Sequence, residues 1–466
     1  MKKYIGDREF YRRVAVILMP ILIQNVITNF VSLLDNIMVG QVGTEPMSGV
    51  AIVNQLIFVY NLCALGGLAG AGILTAQFYG KGDNVGIRHS LLVKLLIGLG
   101  IFLIFGAILT AFGDRFIRLY LHEGESGLNL EATLGYARGY LDVMLLQLLP
   151  FMLTMMYSST LRETGETVLP MKAGLIAVLV NLVFNYILIF GKFGAPALGV
   201  TGAAVATVIA RFVEMTVVIL WTHRHSDRNP WIIGAFRSLR VPGRVFRQVL
   251  VLGLPLMVNE LLWSGGMTVL NQCYSVRGLE VVSAMNIYLT ISNLFFSAFI
   301  STGNATSIMV GQRLGAGEPE IAVDEDRKLI AFALVLSVVL GALMALTAPS
   351  FPKIYNTIPR VKEIATQVLL IGALTMPLHA FANSCYFTLR SGGKTVITFI
   401  FDSGMVWLLS IPVAFFLAYR TELPIVPFFA VIEALNLVKC VVGYVMVKRK
   451  RWVVNLVGET AAEPVL

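Results

Sequence analysis

The sequence predicts an all-α integral membrane protein with twelve transmembrane helices in two six-helix lobes. Three observations predict it. Hydrophobic residues occupy 57% of the 466 positions and charged residues only 14%, well away from the composition of a soluble domain. Apolar stretches of about 20 residues, the length that crosses a bilayer, recur along nearly the whole chain. One half of the sequence also repeats in the other.

Twelve apolar stretches can be placed along the chain. They are centred near residues 26, 63, 101, 147, 179, 210, 262, 296, 338, 375, 407 and 435. The first is as long as those that follow and runs on to Asp35 without an Ala-x-Ala cleavage pattern. We therefore expect a retained first helix rather than a cleaved signal peptide.

The positive charge is distributed unevenly between the two sides of the predicted membrane. A net charge of +9 would suggest a nucleic-acid partner for a soluble domain, but basic residues here concentrate in alternate connections. The largest group is Arg224, Arg228, Arg237, Arg240, Arg244 and Arg247. By the positive-inside rule, this segment and both termini lie in the cytoplasm, which requires an even number of helices. We expect a multi-pass protein of the cell's inner (plasma) membrane and no nucleic-acid partner.

A fixed spacing relates the two halves of the sequence. At an offset of 235 positions, identical residues recur in order: Pro20 and Pro255, Gly43 and Gly278, Gln77 and Gln312, Gly80 and Gly315, Gly82 and Gly317. At an offset of 228, the pattern Thr-Leu-Arg-x-x-Gly-x-Thr-Val at 160–168 recurs at 388–396. An ordered set of this kind indicates an internal duplication.

The repeat predicts the domain organisation. Each half holds six helices, so both enter the membrane in the same orientation and are related by a pseudo-two-fold axis along the membrane normal. We predict an N-terminal lobe at 1–222, a basic cytoplasmic linker at 223–247, a C-terminal lobe at 248–447 and a cytoplasmic tail at 448–466.

Carboxylates inside the apolar stretches are the first candidates for function. An ionised acid at the centre of a membrane helix costs about 2.5–3.5 kcal/mol even on permissive insertion scales, so such residues are rare. The acids in this position are Asp35, Glu260, Asp402 and Glu433. A carboxylate that exchanges its proton or a bound ion between two states of the protein can couple ion entry to the movement of another solute.

Asp35 has candidate partners on the fifth helix. Asn181 and Asn185 are four residues apart, so they share one helix face and can hold Asp35 or coordinate an ion. A water-facing aspartate at a helix end and polar contacts between helices are the alternatives. Pro20 and Pro255 each remove a backbone hydrogen bond and are predicted hinge positions.

The second half offers a different set of residues for a substrate cavity. Glu260 is followed by Trp263 on the same helix, and Asp402 by Trp407 on helix eleven, with His379 on helix ten. Five residues apart on an α-helix, Asp402 and Trp407 do not share a face, although both can border one cavity. The alternatives are a structural ion pair for Glu260, a solvated position for Asp402 and a structural role for His379.

The remaining embedded polar residues are interpreted as structural. Glu433 and Lys439 are predicted to form an ion pair within helix twelve, and Lys94 and Arg211 to extend their charged ends toward the membrane surface. The four cysteines lie in or beside apolar stretches without a C-x-x-C spacing, so neither a disulfide nor a metal site is expected.

Several segments, in their order and spacing, resemble the multidrug and toxic compound extrusion (MATE) family of antiporters. They are LLDNIMVGQVG at 33–43, AQFYGKGD at 76–83 with its repeat VGQRLGAGE at 310–318, TLRETGET at 160–167, the long segment 181–207, and KRKRWVVNL at 448–456. The resemblance covers nearly the whole chain. It implies two six-helix lobes around a V-shaped cavity, lipophilic cations as substrates, and proton or sodium coupling through embedded carboxylates.

The resemblance carries over only in part to individual residues. Asp35 occupies the family's first-helix aspartate, but Asn185 stands where one branch has a second carboxylate. Glu260 lies about one turn before the helix-seven acid of another branch, and His379 stands near its helix-ten aspartate. A paired-acid proton relay and the second-lobe ion site therefore do not transfer as they stand.

The sequence and the resemblance together predict a secondary antiporter that exports lipophilic organic cations by alternating access of its lobes. Its coupling ion is a proton or sodium, with sodium at Asp35 as the one metal considered; no other cofactor is expected. Its partners are a small organic cation and the lipid bilayer, and the protein is a monomer. The alternative is a lipid-linked saccharide flippase of the same superfamily. No HExxH, GxSxG or GxxxxGK[ST] constellation indicates an enzyme.

Overall fold

The computed structural model describes residues 4–120, 130–355 and 357–458; the side chains of residues 32, 33 and 36 are not described. Within these ranges the regular structure is helical throughout, without a β-strand. The interior of an α-helix satisfies its backbone hydrogen bonds within its own segment, as a lipid environment requires.

Within the described ranges, twelve helices are long and apolar enough to cross a membrane. They are α1 (Arg8–Gly40), α2 (Thr44–Lys81), α3 (Asn84–Tyr120), α4 (Leu130–Glu163), α5 (Val168–Phe190), α6 (Gly199–Arg224), α7 (Gly243–Ser275), α8 (Leu279–Gly315), α9 (Pro319–Thr347), α10 (Pro359–Ser391), α11 (Thr395–Arg420) and α12 (Ile425–Lys448). Each contains one of the centres placed from the sequence. The predicted fold class is therefore confirmed.

The glycines shared by the two halves mark equivalent turns after equivalent helices. Gly82 follows α2 with φ +75°, and its counterpart Gly317 follows α8 with φ +77°. Gly165 follows α4 with φ +89°, and Gly393 follows α10 with φ +76°. A side chain is strained at such angles, whereas glycine adopts them freely. The repeat retains these glycines because both halves need the same left-handed helix ends.

Some helices are locally irregular. A 3-10 turn at Leu145–Gln147 interrupts α4, and α11 contains two π-helical stretches, Ile400–Gly404 and Val406–Ser410. In contrast, α1 and α7 continue through Pro20 and Pro255. The hinge role of these prolines stays a prediction.

The chain packs as two compact units. The first comprises Met1–Leu22, Ala76–Asp83 and Val251–Leu466, and the second comprises Ile23–Thr75 and Asn84–Leu250. The beginning of α1 and the end of α2 thus pack with helices from the second half of the sequence. The lobes at 1–222 and 248–447, with their linker and tail, follow from the repeat and stay a prediction.

The core of the first unit contains a group of buried aromatic side chains. Tyr274 on α7 meets Phe428 and Phe429 on α12 with ring centroids 5.2 Å and 5.8 Å apart. Tyr288 on α8 meets Phe429 at 5.1 Å. All three pairs are edge-to-face, the arrangement that aromatic quadrupoles favour. They fix α7, α8 and α12 against one another.

The ends of α2 and α8 cross at two glycines of the repeat. A methyl group added to Gly80 would stand 1.9 Å from the carbonyl oxygen of Gln312, and one added to Gly315 would stand 1.9 Å from that of Gln77. The buried side chain of Gln77 also donates to the carbonyl oxygen of Ser391 at 3.1 Å. Close backbone approach at both glycines therefore defines a symmetric crossing.

Candidate functional site

The second unit brings Asp35 together with both asparagines singled out on α5. Asn185 Nδ2 donates to Asp35 Oδ1 at 2.6 Å. Asn181 and Asn185 are 7% and 1% exposed, and Asp35 is half-buried. The four-residue spacing on one helix turns both amides toward the same carboxylate, as expected from the sequence.

The amide of Asn181 fits in two orientations. In one, its Oδ1 accepts from Asn185 Nδ2 at 3.2 Å. In the other, its nitrogen donates to the Asp35 carboxylate oxygens at 2.9 Å and 3.1 Å, and its oxygen lies 3.2 Å from the Thr207 hydroxyl of α6. In the second orientation the Asn181 amide donates hydrogen bonds to the Asp35 carboxylate. In the first, the Asn181 oxygen faces the two carboxylate oxygens of Asp35.

One atom of this cluster lacks a hydrogen-bond partner among the described residues. It is the buried Oδ1 of Asn185. A buried acceptor left unpaired is costly, and hard cations prefer carboxylate, amide and hydroxyl oxygens. Asp35, Asn181, Asn185 and Thr207 supply such a set and fit a sodium ion. In the described part of the chain, no three His, Cys, Asp or Glu side chains are grouped to hold a metal.

Two further side chains lie within electrostatic range of Asp35. The Tyr140 hydroxyl on α4 lies 3.4 Å from Asn54 Oδ1, and Tyr140 is in electrostatic range of Asp35. Arg211 on α6 is also in electrostatic range of Asp35, and it forms an ion pair with Glu214 at 2.8 Å. Arg211 thus has a buried glutamate one turn away as its partner, and its extension toward the membrane surface stays a prediction.

Lys94 on α3 is also held inside the second unit. It is fully buried, and its ammonium donates to Ser159 Oγ and Thr160 Oγ1 at 2.9 Å each and to Glu163 Oε2 at 2.6 Å. Its predicted extension toward the membrane surface is wrong. In the sequence Lys94 is an isolated lysine in an apolar stretch, because its carboxylate and hydroxyl partners are on another helix, α4.

Thr388, the repeat counterpart of Thr160, is bonded to a buried side chain of the opposite charge. Thr388 Oγ1 on α10 donates to the buried Asp326 carboxylate of α9 at 2.5 Å. Asp326 was missed from the sequence because it belongs to the charged run DEDRK, which is typical of a solvated helix start. The repeated Thr-Leu-Arg segment was the available signal, since it places equivalent hydroxyls in both halves.

In the first unit, Asp402 on α11 is bonded to α7. Asn259 Nδ2 donates to Asp402 Oδ2 at 3.1 Å, and Ser403 Oγ lies 2.7 Å from Asn259 Oδ1. Asn259 is 1% exposed. Asp402 therefore sits at a helix–helix contact fixed by polar groups. The sequence showed Asn259 next to Glu260 but gave no sign of this contact.

Asp402 and Trp407 both face α7. Trp407 Nε1 donates to the carbonyl oxygen of Leu262 at 2.8 Å, and its ring packs 3.3 Å from the position of a methyl group on Gly266. The expectation that residues 402 and 407 lie on different faces is wrong. It assumed an α-helix, whereas π-helical hydrogen bonds join residues five apart and bring them into line.

The acids of α11 and α12 each pair with a basic residue of another helix. Lys439 Nζ lies 2.5 Å from Asp402 Oδ1, and His379 Nε2 lies 2.6 Å from Glu433 Oε2. Thr375 donates to the same Glu433 oxygen at 3.0 Å. The predicted Glu433–Lys439 pair within α12 is wrong, because residues six apart on a helix face different directions.

Glu260 differs from its neighbours in the first unit. It is half-buried, and no described lysine, arginine or histidine forms an ion pair with it within 4.0 Å, although Arg390 and Asp402 are in electrostatic range. Trp263, one turn further along α7, is 39% exposed. Of the predicted cavity residues, Glu260, Asp402 and Trp407 meet at the α7–α11 contact, while His379 belongs to the Glu433 pair.

The fold and these clusters define a polytopic α-helical membrane protein of the transporter class, with repeated halves and buried carboxylates in each. A sequence model of the family described as MatE matches residues 20–187 and matches again at residues 255–416. The chain belongs to the multidrug and toxic compound extrusion (MATE) family. The two matches begin at Pro20 and Pro255, the pair that opens the repeat.

Curated relatives match along most of their length. The chain is 27% identical over 414 residues to the probable multidrug resistance protein NorM of Thermotoga maritima, which covers 87% of this chain and 85% of that protein. It is 26% identical over 430 residues to the multidrug resistance protein MdtK of Pectobacterium atrosepticum, with 90% and 89% covered. These relatives are named as multidrug resistance proteins, and the protein is not an enzyme.

Solved structures confirm the fold. A MOP superfamily transporter from Pyrococcus furiosus superposes with a TM-score of 0.84 at 20% identity, covering 97% of this chain and 98% of that one. A mutant of the Vibrio cholerae MATE transporter VcmN gives 0.83 at 16% identity, with 95% and 97% covered.

Proposed function

We propose that this protein is a secondary antiporter that exports lipophilic organic cations in exchange for protons or sodium ions, by alternating access of its two lobes. The observation that carries the proposal is the Asp35 cluster. There a half-buried carboxylate is bonded to amide groups and has no ion-pair partner within 4.0 Å among the described residues. The names of the curated relatives support drug export.

The chemistry of this cluster suits ion exchange. An ionised carboxylate in a low-dielectric region is costly unless a proton or a cation neutralises it. The amides of Asn181 and Asn185 stabilise the charged form without neutralising it, so the carboxylate stays available to an ion. When sodium is bound it neutralises the charge that these residues hold. A proton on Asp35 achieves the same neutralisation, so the residues serve either ion.

The first unit supplies the residues that we assign to cargo. Glu260, without an ion pair in the described structure, offers negative charge, and Trp263 and Trp407 offer aromatic faces to a flat cation. Asp402 lies beside them, and we retain His379 as a cavity residue. Glu260 also stays a proposed ion-coupling residue of this half.

The proposed setting is the inner (plasma) membrane, with both termini in the cytoplasm and a monomeric transporter. It follows from the alternation of basic connections and from the even number of helices. Pro20 and Pro255 remain the proposed hinges.

The test is efflux of ethidium, a fluorescent lipophilic cation, from liposomes under an imposed pH gradient or sodium gradient. We expect one gradient to drive efflux, and Asp35→Asn to reduce the driven rate at least tenfold, because an amide cannot exchange a proton and binds sodium weakly. Glu260→Gln should raise the KM for the cation. Asp114→Asn and Glu363→Gln, which remove exposed carboxylates, are matched controls expected to behave as wild type.

Two results would contradict the proposal. One is cation efflux that neither gradient drives, and the other is undiminished gradient-driven efflux in Asp35→Asn. The first result would favour the lipid-linked saccharide flippase, and the second would remove Asp35 as the coupling residue.

A further inference from the structure

Lys439 of α12 fills a position with the chemistry of an organic-cation site. Its ammonium lies 2.5 Å from Asp402 Oδ1 and 5.4 Å from the centroid of the Phe401 ring. The side chains of Lys439 and Asp402 are 16% and 19% exposed. Carboxylate and aromatic face together are the groups that recognise alkylammonium ligands.

The Asp402 carboxylate is held in place independently of Lys439. Its second oxygen accepts from Asn259 Nδ2 at 3.1 Å, and Asn259 is in turn fixed by Ser403. These contacts tie α11 to α7, while Lys439 comes from α12. The carboxylate can therefore keep its position when the ammonium leaves, and a different cation can take its place.

Lys439 changes the number of carboxylates at the α7–α11 contact that are without an ion-pair partner among the described residues. Glu260 and Asp402 are in electrostatic range of each other, but only Asp402 has an ion-pair partner within 4.0 Å among the described residues. With Lys439 in place, the contact between α7 and α11 offers one carboxylate to a ligand. Without it, two carboxylates are available.

We infer that Lys439 is a tethered competitor for cationic cargo at Asp402, and that it restricts this transporter to monocations. A cargo ammonium gains the Asp402 carboxylate and the Phe401 ring only by displacing the lysine. This inference rests on the proposed function for the class of cargo. It adds a specificity-determining residue, Lys439, and a second cation subsite, formed by Asp402, Phe401 and Asn259.

Ethidium and propidium test the inference, because they share one phenanthridinium core and propidium carries a second quaternary ammonium. Binding to purified protein in nanodiscs is measured by fluorescence, so no gradient or transport is required. We expect Lys439→Met to lower the Kd of propidium at least tenfold and that of ethidium by a smaller factor. The double variant Asp402→Asn with Lys439→Met should return both values to those of wild type.

A matched control exists elsewhere in the same unit. Lys328 pairs with Asp324 at 2.6 Å and lies 5.8 Å from the Phe10 ring centroid, so its two partners are of the same kinds as those of Lys439, an aspartate and a phenylalanine ring. Lys328→Met should leave both dissociation constants unchanged. Melting temperature is recorded for every variant, with and without propidium, and propidium should raise it more for Lys439→Met than for wild type.

A purely structural ion pair predicts a different pattern. Lys439→Met would then lower the melting temperature without lowering the Kd of either dye, and propidium would not raise that melting temperature. This pattern would overturn the inference. An equal gain for both dyes would overturn the monocation restriction. Efflux in liposomes is scored separately, so wild-type protein that binds ethidium without gradient-driven efflux contradicts the proposed antiport and leaves the role of Lys439 standing.

Discussion

Among the described residues, most ion pairs with a buried member join two different helices. Lys94 on α3 meets Glu163 on α4, His379 on α10 meets Glu433 on α12, and Asp402 on α11 meets Lys439 on α12. The Arg211–Glu214 pair within α6 is an exception. A charge taken out of water needs a close partner, and in a helical bundle a neighbouring helix provides it most readily.

The Lys94–Glu163 pair gives a prediction at this scale. Lys94→Met leaves Glu163 in a mostly buried position without its cation, and we expect a loss of about 3–5 kcal/mol of folding free energy. The double variant with Glu163→Gln should recover most of it, since the carboxylate that Lys94 neutralised is then an uncharged amide. Thermal unfolding in detergent measures both.

The exposed pair Arg360–Glu363 supplies the control. Arg360→Met should change stability by less than about 1 kcal/mol, because exposed ion pairs contribute little. A Lys94→Met protein as stable as this control would show that Glu163 does not depend on Lys94.

At the scale of elements, α11 shows how local winding changes which residues act together. Its π-helical stretches at Ile400–Gly404 and Val406–Ser410 turn both Asp402 and Trp407 toward α7. Departures of this kind are rare and are often found at functional sites. In this chain the departure coincides with the cluster that carries the proposed cation subsite.

The crossing of α2 and α8 can be tested by substituting its two glycines. Gly80→Ala places a methyl group 1.9 Å from the Gln312 carbonyl oxygen, so the two backbones have to separate. We expect a loss of about 1–3 kcal/mol from overpacking and a loss of transport. Gly315→Ala should behave alike, because it meets the Gln77 carbonyl in the same way.

Gly100 and Gly106 on α3 are the matched controls for this pair. A methyl group at either meets nothing within 4 Å. Their alanine variants should be neutral or slightly more stable, since alanine favours a helix over glycine by about 1 kcal/mol. Melting temperature and ethidium efflux of the four variants test the crossing. Wild-type behaviour of Gly80→Ala would show that the two helices need not approach so closely.

At the scale of the whole molecule, the two halves share helix ends and differ in charge. Thr160 accepts a hydrogen bond from a buried lysine, whereas its counterpart Thr388 donates to a buried aspartate. The repeat also pairs Asn25 with Glu260. Duplication has kept the turns that helix ends require while the polar side chains diverged. Divergence of this kind suits a transporter in which each half has its own task.

The topology proposed for the molecule can be measured with single cysteines. Ser238 lies in the basic segment between α6 and α7, and Phe193 lies between α5 and α6 with 87% exposure. We expect a membrane-impermeant maleimide to label Phe193→Cys in intact cells, and Ser238→Cys only after the membrane is opened. The four native cysteines are buried and should give little background.

The opposite labelling pattern would invert the orientation proposed for both termini. Labelling of both sites in intact cells would contradict the placement of these two connections on opposite sides of the membrane.

The sequence by itself determined the number and the positions of the helices, the duplication and the family. Those properties depend on local composition and on spacing along the chain, because a bilayer demands long apolar helices and glycine adopts left-handed helix ends without strain. It also brought Asp35 and the asparagines of α5 into one hypothesis, since a four-residue spacing fixes a helix face.

Only the tertiary structure decided which charges meet. Three contacts join residues on different helices, 37 to 69 positions apart along the chain: Asp326 with Thr388, Lys94 with Glu163, and Lys439 with Asp402. The shared face of Asp402 and Trp407 arises from π-helical winding that an α-helical period does not contain. Residue spacing specifies neighbours along one helix, whereas neighbours across helices follow from packing, which this sequence encodes in all its segments together.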